Sequence, residues 1–172
     1  MRNIPMALAF CAASAFALPA GAMELTSPDF APNGAIALEQ IYPECGGKNI
    51  SPALSWSGVP PTAKSLALSV FDLDGGPHGW WHWTLIDIPA HTRGIAKAMP
   101  PAGARSLKND FGHAAYDGPC PPKGSGVHHY QFTLYALPKA FAAVQGASPS
   151  VVGAALTKEA IAQTTLIGTV ER

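Results

Sequence analysis

Charge is the first thing this 172-residue chain has little of. Charged residues make up 13% of it, and 11 basic residues balance 11 acidic ones, for a net charge of zero. A balanced chain has no field of one sign to draw in DNA, RNA or an acidic membrane, which sets nucleic acid aside as a partner. Cysteine is also scarce: Cys11, Cys45 and Cys120 are all there is, and no cysteine pair has zinc-ligand spacing. The chain lacks a Gly-x-Ser-x-Gly elbow, the mark of one large hydrolase class. It has no internal repeat, charge block or low-complexity linker. Beyond the N-terminus, no run is long and apolar enough to span a bilayer.

The N-terminus is different. Met1-Arg2-Asn3 carries one positive charge, Ile4 through Leu18 is almost wholly apolar or small, and Ala20-Gly21-Ala22 offers small residues at a peptidase site. Those three features describe a secretory signal peptide over residues 1–22, cleaved after Ala22. A membrane anchor is the competing reading, but the run is shorter than the ~20 residues a spanning helix needs, and Pro5 and Pro19 bracket it. The mature chain, residues 23–172, is then one exported domain, periplasmic or secreted. Loss of Cys11 leaves Cys45 and Cys120. In an oxidising compartment these form a candidate disulfide, with two separate thiols as the alternative.

Seventeen glycines and seventeen prolines predict many turns and few long helices. Short strands are expected at Ala35–Ile41, Leu54–Trp56, Ser65–Asp72, His82–Ile88, Val127–Leu137 and Thr164–Val170. The segment Gly94–Asn109 reads as loop and extended chain. Helix is expected only late, as a short piece at Lys139–Val144 and a longer one at Pro149–Gln163, with Ser148 as its N-cap and Pro149 opening the first turn. The fold class is therefore mainly β, with a few peripheral helices.

Strand periodicity nominates a site. In Val127–Leu137, His128 and Tyr130 share a face with Phe132 and Leu134, and His129 points the other way. Asp72 ends one strand and His82 begins the next, so antiparallel pairing sets them side by side at one sheet end. The loop Gly118–Gly126, with Pro121-Pro122 between glycines, is stiff enough to offer backbone N–H groups to an anion. One of its X-Pro bonds is a candidate for the cis form. Each residue also has a plainer reading: Asp72 and Asp74 as turn acceptors, His82 as an interior histidine among tryptophans, Tyr130 as core, and the Pro/Gly loop as a simple turn.

Two segments resemble a known family. Asp72-x-Asp74 followed by Gly79-Trp80-Trp81-His82-Trp83, and Gly118-Pro119-Cys120-Pro121-Pro122 followed by His128-His129-Tyr130, are similar to the signatures of phosphatidylethanolamine-binding proteins, in particular the bacterial Raf-kinase-inhibitor-like branch. Asn49 to Trp56 and Asn109-Asp110-Phe111-Gly112 match that branch too, and the likeness runs in order from about Leu25 to the C-terminus. The resemblance implies a central antiparallel sheet packed on a smaller sheet. It also implies a pocket for phosphate-like groups, formed by Asp72, His82, Pro121, Pro122, His128 and Tyr130 with the backbone around Cys120. One departure stands out: where the family has Asp-Pro-Asp-Ala-Pro, this chain reads Asp72-Leu73-Asp74-Gly75-Gly76-Pro77, which exchanges rigidity for glycine freedom.

The resulting expectation is a non-catalytic binding module for phosphate or a phosphorylated headgroup, without a cofactor. Three other classes compete. An enzyme would use Asp72, His82 or His128 for acid–base chemistry and needs a nucleophile, for which Cys120 serves only as a free thiol. A metal site would draw on His78 and His82, but Pro77 and Gly79 oppose the helix their spacing requires. A regulator acting through protein contacts would meet an extracytoplasmic partner that the sequence does not name.

Overall fold

A computed structural model describes residues 21–172. The signal-peptide reading falls almost wholly outside the described residues. Among those residues no helix is long and apolar enough to cross a membrane.

The chain forms two sheets. Strands β1 (Glu24–Thr26), β3 (Leu54–Ser57) and β6 (Gly94–Ile95) make a three-stranded sheet in the order β1-β3-β6. The larger sheet has six strands: β2 (Gly34–Ala35), β4 (Ser65–Asp72), β5 (Trp80–Pro89), β7 (Arg105–Ser106), β8 (Val127–Leu137) and β9 (Ala162–Glu171). Their order is β2-β9-β8-β4-β5-β7, antiparallel throughout except for the parallel edge pair of β2 with β9. Between the sheets, Leu25, Leu54, Trp56 and Ile95 from the small one meet Leu66, Leu68, Val70, Trp83, Phe132 and Leu134 from the large one, all buried. The opposite face of β4, β5 and β8 carries Ala67, Ile86, Tyr135 and Leu137. The helix α1 (Pro149–Glu159) covers it with Val152 and Leu156. Because both faces of β4 are covered, seven of its eight residues are buried, and Leu66, Leu68, Val70 and Asp72 still share one face as period two requires.

Several expected elements change. The Ala35–Ile41 strand reduces to Gly34–Ala35 and a 3-10 turn at Leu38–Gln40. Its Ile36 and Ile41 are anchored in the core, so the segment is held by two side chains rather than by a ladder. Gly94–Asn109 contributes β6 and β7, each two residues long, at sheet edges. Lys139–Val144 is not helical. The helix after Ser148, whose hydroxyl accepts from the Val151 N–H, stops at Glu159 rather than Gln163. Ala160 turns extended and the Ile161 N–H bonds Ala136 O, so residues 162–171 join ten rungs of ladder with β8. Ala160, Ala162 and Gln163 there are good helix formers, but sheet pairing overrides local propensity.

Candidate functional site

The site begins as a row across the large sheet. Trp80 pairs with Asp72, Asp72 with Tyr130, and Tyr130 with Gly168. Asp72 therefore does not stand beside His82 as the simple hairpin predicted. One step on β4, from Val70 to Phe71, spans two on β5, from Trp83 to Trp81, so His82 is the extra residue of a β-bulge. Trp83 shares the face of Val70, and His82 shares that of Trp80 and Asp72. The bulge thus turns two successive side chains, His82 and Trp83, to the same side, and both are buried. Bulges re-aim side chains in this way beside functional sites.

Four hydrogen bonds organise the acidic side. His128 Nδ1 lies 2.7 Å from Asp72 Oδ2, and the Asp74 N–H donates to Asp72 Oδ1 at 2.9 Å. Asp74 Oδ2 in turn accepts from the His129 N–H and from His129 Nδ1, each at 2.8 Å. These contacts with His129 hold the Asp74 carboxyl below its usual range. They also restrain the glycine-rich stretch that replaces the family's prolines. At the end of that stretch Gly79 has φ +66, and a Cβ there would lie 2.0 Å from the Phe71 ring. No side chain fits this entry into β5.

His82 is fixed from behind. Its Nδ1 donates to Asp117 O at 2.7 Å, which leaves the Nε2 lone pair unshared in the neutral ring. Burial pushes its pKa down, against smaller opposing effects of the Asp117 carbonyl and Asp72. Asp117 is itself clamped, taking hydrogen bonds from Asn109 Nδ2 at 2.6 Å and His113 Nδ1 at 2.9 Å. Asn49 donates to Tyr116 O and accepts from the Gly118 N–H at 2.7 Å. The Asn49 and Asn109 motifs are therefore struts behind His82 and the proline loop. Asp110 receives the Trp81 N–H at 2.8 Å, and the Phe111 ring packs near His82, Trp80 and Tyr42.

Tyr130 stands between the two imidazoles, its ring 5.1 Å from that of His82 and 6.4 Å from that of His128. It is fully buried, and its hydroxyl has no hydrogen-bond partner among the described residues. Burial first, then the Asp72 charge and hydrogen bonding toward the Asp72 carboxyl, push its pKa far up, so it remains a donor; the contact with Asp72 falls short of full hydrogen-bond geometry.

These groups line a cavity of about 350 Å³ that holds all seven predicted residues: Asp72, His82, Cys120, Pro121, Pro122, His128 and Tyr130. Trp80, Phe111, Asp74 and Ser125 line it as well. Ser125 was missed by sequence reasoning, although it lies in the singled-out loop and three residues before His128, on the approach to β8. Cys45 and Cys120 are joined in a disulfide across 75 residues, with Cα atoms 5.5 Å apart, so Cys120 offers no free thiol. Two loop expectations need correction. No cis peptide bond occurs among the described residues. Of the loop's six backbone N–H donors, those of Gly118, Gly124 and Ser125 already donate to Asn49, Arg172 and Pro122, so only half of the set expected for an anion, on Cys120, Lys123 and Gly126, is without such a bond.

Residues 26–171 match the family model described as phosphatidylethanolamine-binding protein. The chain belongs to this family. The crystal structure of Escherichia coli YbcL, described as a new member of the mammalian PEBP family, superposes with a TM-score of 0.83 at 35% identity, covering 88% of this chain and 99% of that one. In sequence, YbcL is 39% identical over 132 residues, 71% of this chain and 72% of the relative. A Methanothermobacter thermautotrophicus relative is 43% identical over 133 residues, 74% of this chain and 87% of its own. A Mycobacterium tuberculosis relative, LppC, whose name contains the word lipoprotein, is 39% identical over 156 residues, 89% of this chain and 76% of its own. The mainly β, two-sheet architecture is that of the family.

Proposed function

We propose that the cavity binds a small phosphate-like anion, free or as a phosphorylated headgroup, as a monoanion that still carries an O–H. The observation that carries this reading is the Tyr130 hydroxyl, a buried donor with no well-formed hydrogen bond and only the Asp72 carboxyl acting on it, at the wall of a cavity flanked by two imidazoles. An unmet buried donor costs about 1–3 kcal/mol, so it is retained where a ligand supplies the acceptor. Neutral His82 supports the protonated form, because its free Nε2 accepts the ligand's O–H. Asp72 and Asp74 also disfavour a dianion, and their hydrogen bonds to His128 and His129 blunt that repulsion toward a monoanion.

Binding should be weak, and it should tighten as pH falls from about 7.5 to 5.5, since more of the phosphate is then the monoanion whose O–H neutral His82 accepts. Phosphorus NMR or calorimetry with inorganic phosphate at both pH values tests this. Saturable binding that strengthens in acid supports it; no binding at tens of millimolar, or binding that strengthens in base, overturns it.

The protein acts outside the cytoplasm in this reading. The charged start, short apolar run and Ala20-Gly21-Ala22 support export, as does a disulfide beside the pocket. A mature N-terminus at Met23 in an extracytoplasmic fraction is the expected result; an intact Met1 there would refute cleavage.

A further inference from the structure

Three pocket residues form a chain that anion binding does not require. Asp72 Oδ2 lies 2.7 Å from His128 Nδ1, and His128 Nε2 lies 2.9 Å from Ser125 Oγ. Carboxylate on Nδ1 and serine hydroxyl on Nε2 is the atom-for-atom order of a serine nucleophile with its base and the group that orients the base. Such constellations are recognised by geometry and role rather than by sequence position, so the missing Gly-x-Ser-x-Gly elbow does not count against it. Asp72 and His128 are buried, whereas Ser125 is exposed on a loop and lines the same cavity. The base is therefore held while the nucleophile is open to a ligand. The Ser125 hydroxyl has one proton and two acceptors in reach, His128 Nε2 and Pro122 O at 2.8 Å. Directed at Pro122 the proton leaves the serine inactive; directed at His128 it is ready for transfer.

We propose that Ser125 is a nucleophile, with His128 as its base and Asp72 as a positioning residue, acting on small carboxylic esters. The proposal rests on the tetrahedral-anion reading of the cavity, because a pocket suited to phosphate also suits the tetrahedral oxyanion of acyl transfer. Ser125 Oγ bonds to the ester carbonyl carbon as its proton passes to His128 Nε2. The carbon–oxygen bond to the alcohol then breaks and His128 returns the proton to the leaving oxygen, leaving the acyl group on Ser125. Water, deprotonated by His128, reverses the sequence and releases the acid. Tyr130, whose hydroxyl has no well-formed hydrogen bond, is the cavity-lining donor that would turn to the oxyanion.

The test treats the full exported protein with an alkyl fluorophosphonate, in which the Oγ–P bond forms, the P–F bond breaks and hydrogen fluoride leaves. A p-nitrophenyl acetate assay and a phosphate-binding titration run alongside. Peptide mapping should place the phosphonyl adduct on Ser125. Ser125→Ala, an exposed loop change that spares the fold, should abolish it, and His128→Asn should slow labelling at least about 100-fold. Asp72→Asn should change the shape of the pH–labelling profile, whereas a merely loosened loop lowers the rate by one factor at every pH. An adduct elsewhere, or none while phosphate still binds, overturns the nucleophile and leaves the anion pocket standing. No adduct together with no phosphate binding overturns both.

Discussion

Removing one oxygen atom from Tyr130 should move stability and binding in opposite directions. Tyr130 is fully buried and its hydroxyl lacks a partner among the described residues, so the folded ligand-free protein carries a desolvation penalty of about 1–3 kcal/mol there. Tyr130→Phe keeps the ring that packs near His82 and His128 and deletes the penalty. Urea denaturation in phosphate-free buffer should therefore show the variant about 1–2 kcal/mol more stable than the native protein. The same hydroxyl donates to the bound anion in the proposed complex, and a hydrogen bond to a charged group contributes about 1.5–3 kcal/mol. Calorimetric affinity for phosphate should fall about 10-fold to 100-fold. Saturating phosphate then narrows or inverts the stability gap, because native protein gains about 2.7 kcal/mol at a ligand concentration of 100 Kd and the variant gains less. A variant that is less stable without ligand would show that the hydroxyl has a partner in the protein. Unchanged phosphate affinity would remove the observation on which the proposed function rests.

The Cys45–Cys120 bridge closes a span of 75 residues, so chain-entropy reasoning assigns it up to about 4.5 kcal/mol; the double Cys→Ala variant should lose several kcal/mol in denaturant titration, and a loss below about 1 kcal/mol would contradict a formed bridge. His82 has its pKa lowered by burial, so its contribution to stability is full above the unfolded value of about 6.5 and declines as pH falls below it, because the unfolded chain takes a proton the folded one resists. His82→Asn should flatten that acid-side decline in melting experiments, and an unchanged slope would refute the assignment. Gly79→Ala combines a left-handed φ with a collision against the Phe71 ring and should cost about 2–4 kcal/mol in the same titration, whereas a neutral result would mean the β5 entry rearranges freely.

The alternation of Val127–Leu137 correctly gave a strand with His128 and Tyr130 on one face, because side-chain direction in a strand is a local property. The cap at Ser148 with Pro149 was equally readable, since capping uses only neighbouring atoms. The helix end was not. Residues 160–163 are chemically suited to helix, and only the free edge of β8 makes extended chain the better state there. The Ala35–Ile41 strand failed for a similar reason: two buried isoleucines hold the segment, and its backbone has little ladder to join.

By itself the sequence determined the β-rich class, the family, the polar groups on β8 and seven of the residues that line the cavity, because strand parity and ordered motifs are written along the chain. Tertiary structure decided how those groups are held. The bulge that aims His82 inward depends on the register between β4 and β5. The clamp on Asp117 gathers Asn49, Asn109 and His113 from separate segments. The line from Asp72 through His128 to Ser125 joins residues 53 positions apart at its ends. Hydrogen bonds act over about 3 Å in space and are blind to distance along the chain, so which partners meet is settled only by folding.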